Sequence, residues 1–129
     1  MPDSPREGFQ YALLRVVPRI ERGEALNAGV VLFCRTRGFL AARTRLDRAR
    51  LAALAPGTDP EPIERHLAVI EAIAAGDAAG GQLAGLEPSE RFHWIAAPSS
   101  TVVQASPIHT GLCRDPAAVL DRLFDTLVA

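Results

Sequence analysis

The chain contains no lysine; its 14 cations are all arginine, set against 15 acidic residues. The codon bias of a GC-rich genome accounts for this and for the abundant alanine. Arginine also makes rigid bidentate contacts to carboxylate and phosphate that lysine does not. Cysteine is nearly absent. Cys34 and Cys113 are too few for a disulfide framework. With three scattered histidines they fit no zinc spacing, so no metal site is expected. They read as a core thiol and a loop thiol. Aromatic residues are 5% of the chain, which argues against the stacking platforms of single-strand nucleic-acid binders. No run approaches the roughly 18 apolar residues of a membrane span. The opening MPDSPREGFQ lacks the charged-then-apolar layout of a signal peptide. A cytoplasmic location is expected, away from any membrane. The net charge of -1 provides no global field for nucleic acid or anionic lipid. No phosphate loop or nucleotide fingerprint occurs, and no cofactor is expected.

What is present is an ordinary globular balance, 48% hydrophobic and 22% charged, in a length that suits one core. Residues 1–9 read as a flexible tail and 10–129 as a single α+β domain. QYALLRVV predicts a strand over 10–17, stopped by Pro18. AGVVLFC is apolar on both faces, so Val30 to Cys34 should form an interior strand. RTRG predicts a hairpin turn on Gly38, and FLAARTR a third strand, giving an antiparallel meander. The period then changes. Asp47 can cap a short helix ending at Pro56-Gly57. Thr58 and Glu61 form a capping box for a helix with Ile63, Leu67, Ile70 and Ala74 on one face, ended by Gly76. DAAGGQLAG reads as a flexible connector. Another helix follows with Phe92 and Ile95 inward, then a strand in STVVQAS. Asp115 and Pro116 open a last helix with a wide stripe from Val119 to Val128. The order is β-β-β-α-α-α-β-α: a small antiparallel or mixed sheet with helices packed mainly on one face. Both long stripes are expected on that face.

Three constellations could carry chemistry. The segment from Ser100 to Pro116 is STVVQASPIHTGLCRDP. There His109 could be a general base with Ser106 or Thr110 as hydroxyl partner, and Gly111 would admit a ligand to the backbone. Cys113, near a helix start, could have a lowered pKa. The same Ser-Pro and Thr-Gly pairs are also routine turn chemistry. Second, Arg15 sits in an apolar strand and would need a carboxylate, with Glu24 the nearest across the hairpin. This is either a structural pair or, with Asn27, a pocket for a small polar ligand. If catalysis exists, His109 is the acid/base, Arg15 the electrostatic stabiliser and Glu24 its orienting partner. Third, Arg35, Arg37, Arg43, Arg45, Arg48 and Arg50 face a run of acids over residues 59–90. If the fold keeps them apart, the basic end could dock a partner; otherwise it is a solvated face. A sheet edge free to pair with its own copy would give a homodimer, which the sequence leaves open.

YALLRVVP, RGEALNAGVVLF, LDRARLAAL, ERFHWIAAPSSTVVQASPIHTGL and DPAAVLDRLFDTLV, in that order, resemble the uncharacterised bacterial family of domain of unknown function 3037. The matching positions include Arg15, Arg22, Gly23, Glu24, Asn27, Gly29, Ser100, Thr101, Gln104, Ser106, Pro107, His109, Thr110 and Gly111. Ala28 stands where that family suggests Val, and Ser99 where it suggests Arg. The resemblance supplies no activity. It implies a partner, because members are often encoded beside a HipA-like serine/threonine kinase protein. An accessory or interaction protein is the preferred expectation, with a small enzyme or ligand-binding protein as the alternative.

Overall fold

In the computed structural model, the described residues are 5–99 and 101–129. Ser100 and the first four positions of the expected tail lie outside them. Five strands and four α-helices make an α+β fold. The strands are β1 (Glu7–Val16), β2 (Leu26–Cys34), β3 (Phe39–Thr44), β4 (Val103–Ala105) and β5 (His109–Cys113); the helices are α1 (Arg48–Leu54), α2 (Pro60–Ala75), α3 (Pro88–Ala96) and α4 (Pro116–Leu127). The sheet is antiparallel throughout, in the order β3-β2-β1-β4, with β5 also on β1.

The meander of β1, β2 and β3 follows the expected pattern, its second turn using Gly38 at φ 61°. Strand β2 is interior and buried on both faces. Ala28, Val31 and Phe33 join Ala12, Leu14 and Val16 on one side, under α1, α2 and α3. Val30, Leu32 and Cys34 join Phe9 on the other side, under α4. The two helical stripes therefore lie on opposite faces rather than sharing one. Three α-helices follow the meander onto one face. The last helix leaves β5 for the other, covering the odd-numbered face of β1 and its register partners, which would otherwise stay wet. Ala28 lies opposite no single residue of β1, since Leu14 pairs with Gly29 and Arg15 with Asn27. At Gly29, beside this bulge, a Cβ would stand 2.9 Å from the Arg43 carbonyl oxygen of β3.

Three local expectations shift. The helix cap of α2 is Asp59, which accepts from the Glu61 N–H, rather than Thr58. DAAGGQLAG is a 3-10 segment over Ala78–Gly85, with Gly80 packed on the Ile73 backbone. Strand β1 begins at Glu7, inside the stretch read as tail. Asp47 and Asp115 cap α1 and α4 as expected.

Candidate functional site

The segment from Ser106 to Gly111 is loop only in part: Ser106 to Ile108 link β4 to β5, and His109 to Gly111 are strand. Ser106 donates its N–H to the Leu13 carbonyl, and its Oγ accepts the Leu13 N–H, both at 2.8 Å. The hydroxyl thus replaces a backbone carbonyl in the ladder. Tyr11 pairs next with His109, so Pro107 and Ile108 together oppose Ala12 alone. Strands β4 and β5 are one strand interrupted by a bulge. Gly111 lies under the Phe9 ring, where a Cβ would come 2.6 Å from Cζ.

This register decides where the expected site residues stand. Cross-strand partners point to the same face. Arg15 pairs with Asn27 on one side and Gln104 on the other, so these three form a row on the α4 side of the sheet. Asn27 Nδ2 donates to the Leu127 carbonyl at the end of α4. His109 is on the same face and stacks on Tyr11 with centroids 5.1 Å apart. Arg15 lies four positions along β1 from Tyr11, about 13 Å of strand. Glu24 does not pair with Arg15; Arg22, two residues away, holds it. The proposed trio of His109, Arg15 and Glu24 therefore does not converge. Neither Ser106 nor Thr110 serves His109: the Ser106 hydroxyl is buried against Leu13 and Pro107, and Thr110 faces the other way. Arg15 is half-buried and makes no side-chain hydrogen bond or ion pair among the described residues.

Cys113 is not a loop thiol. It ends β5, buried in the same cluster as Cys34. Burial, and then the neighbouring Cys34 thiol, push its pKa up rather than down. The fold also interleaves the charges. Arg37 pairs with Glu7, Arg43 with Asp121 at 2.7 Å, and Arg48 with Glu64. Arg43 additionally lies over the Phe124 ring and Arg35 over that of Phe33. The Thr36 hydroxyl and then Arg37 hold the Glu7 carboxyl below its ordinary range, and Arg48 does the same for Glu64. Arg35, Arg45 and Arg50 are the members of the cluster without an ion pair among the described residues; Arg35 instead donates to the Ser89 hydroxyl.

A cavity of about 350 Å³ lies on the other side of β4, under α2 and α3. Its floor is Leu14, Val103 and Ala105, with His66 and Ile70 of α2 as one wall. Trp94 and Ile95 of α3, the connector Ala97–Ser99, Thr101 and Gln104 complete it. Trp94 is 53% exposed here, a large apolar surface left in water. The groove runs along β4, the terminal strand of the sheet order, where Val103 is 5% exposed and Ala105 half-buried. Val17 takes the Val102 carbonyl and Ser106 takes that of Leu13, so residues 102, 104 and 106 bond to β1. By alternation the N–H and C=O groups of Val103 and Ala105 point outward. The Val103 carbonyl accepts the Thr101 hydroxyl at 2.8 Å and keeps a second lone pair. Sequence reading passed over this groove, which is assembled from four segments of chemically ordinary residues.

No single helix among the described residues is long and apolar enough to cross a membrane. No curated protein and no solved structure matches the chain. One family model does, that of Protein of unknown function (DUF3037), over residues 11–128. That match runs from within β1 to the end of α4, with both the Arg15 row and the β4 groove, and the chain belongs to this family.

Proposed function

We propose that this chain is a small cytoplasmic accessory protein that captures an extended segment of a protein partner along β4. One observation carries the reading: outward backbone groups of Val103 and Ala105 border an apolar groove roofed by the exposed Trp94. An unpaired edge is a template for another strand, and an adjoining pocket gives such a strand its selectivity. The kinase implied by the family resemblance is the first partner to test.

Co-expression of the chain with a HipA-like kinase encoded beside it should give a complex that co-purifies. Ala105→Pro should abolish it. Proline removes the outward N–H while leaving the bonds of Gln104 and Ser106 to β1 intact, as edge strands tolerate. Circular dichroism should show the fold retained. A folded Ala105→Pro variant that binds as well as the parent would refute capture along β4. Self-pairing through the same edge would appear instead as a concentration-dependent dimer in sedimentation, lost in the same variant.

A further inference from the structure

Resting on that reading, we infer that the captured segment carries the pattern apolar–acidic–apolar, with its acidic side chain bound by Arg15. A strand laid against β4 places three residues opposite Val103, Gln104 and Ala105. The first and third share the face of Val103 and Ala105 and enter the groove against Ile70 and Trp94. The middle one shares the face of Gln104, and Gln104 is in register with Arg15. One added strand therefore reads both faces of the sheet edge, apolar beneath and polar above.

Charge complementarity fixes the middle residue. Arg15 is half-buried and has no carboxylate partner among the described residues. Its two neighbours in the row are committed elsewhere: the Gln104 amide donates to the Thr101 carbonyl at 2.8 Å, and the Asn27 amide to that of Leu127. A cation partly withdrawn from water gains most from a hydrogen-bonded anion. The added strand and β1 lie two strand spacings apart, about 10 Å. A guanidinium and a glutamate carboxylate together reach across that gap, and aspartate is one methylene shorter. Glutamate is therefore preferred to aspartate.

The test uses the full chain and two acetylated, amidated peptides, with Leu-Glu-Leu or Leu-Lys-Leu between identical Ser-Thr flanks. Trp94 is the single tryptophan of the chain, so its emission reports occupancy of the groove. The glutamate peptide should bind about tenfold tighter than the lysine peptide, the scale of one charge-assisted hydrogen bond. That preference should shrink with added salt. Arg15→Gln should reduce it to about twofold or less without weakening a Leu-Gln-Leu peptide, and Arg15→Lys should restore part of it. Equal binding of the two peptides, or a preference that survives both salt and Arg15→Gln, would overturn the acidic pattern while leaving capture along β4 intact. If no peptide alters Trp94 emission, or Ala105→Pro binds them all as well as the parent, capture along β4 fails and the acidic pattern falls with it.

Discussion

A serine hydroxyl in the place of a carbonyl lets the strand after α3 break at Pro107 and resume at His109. Ser106→Ala would leave the Leu13 N–H without that acceptor in a buried setting, at a cost of about 1–3 kcal/mol. Its thermal midpoint should fall and the Leu13 amide should exchange faster; an unchanged amide would contradict the hydroxyl's role. Gly111 makes a second sharp demand. Gly111→Ala must push the Phe9 ring aside, costing about 1–3 kcal/mol in a urea titration. A double-mutant cycle with Phe9→Leu should recover part of the loss. Neither role was legible beforehand. Ser-Pro and Thr-Gly carry local turn signals, whereas the partner of Ser106 lies 93 positions away in sequence. The charge of Arg15 inside an apolar strand was legible; its supposed partner was not, because Arg22 claims Glu24 at shorter range.

Helix ends follow local chemistry closely. Asp47, Asp115 and Gly76 stand where their residue types predict, and the cap of α2 moves by a single residue to Asp59. The close of α2 has a feature no local pattern encodes. Arg91, from α3, donates Nη1 to the Ile73 and Ala74 carbonyls and Nε to that of Leu86. One guanidinium thus satisfies the Ala74 carbonyl, shares that of Ile73 with the Gly76 N–H, and ties the following 3-10 segment to α3. Arg91→Lys keeps the charge but cannot span the fork. It should cost about 1–3 kcal/mol, seen as a lower urea midpoint with the helical signal largely retained. A midpoint equal to that of the parent would show that charge alone suffices. The face each helix covers was the least legible property at this scale. The stripes of α2 and α4 are both apolar, and the placement of β4 and β5 beside β1 sends them to opposite sides.

For the molecule as a whole, acid sensitivity follows from its carboxylates. Glu7 and Glu64 are held below their ordinary range in the fold, so each binds a proton less readily there than in the unfolded chain. Their contribution is fully present above the unfolded carboxylate value and is lost as pH falls through the lower folded value. The thermal midpoint should stay level from pH 7 to about 5 and decline below about 4. Glu7→Gln should make that acid limb shallower, by a small amount because the pair with Arg37 is exposed; a limb as steep as the parent's would assign the loss to other groups. The position of β1 has a consequence for how the chain is made. It is synthesised first, yet it takes β2 on one flank and waits for β4 and β5 on the other. Closing that second flank brings together Leu13 and Ser106, and Asn27 must find Leu127, 100 positions on. Such late, non-local pairing slows folding and leaves a bare strand on the emerging polypeptide. A ribosome-stalled chain ending before residue 106 should therefore be protease-sensitive and chaperone-bound, and become resistant once α4 has cleared the exit tunnel.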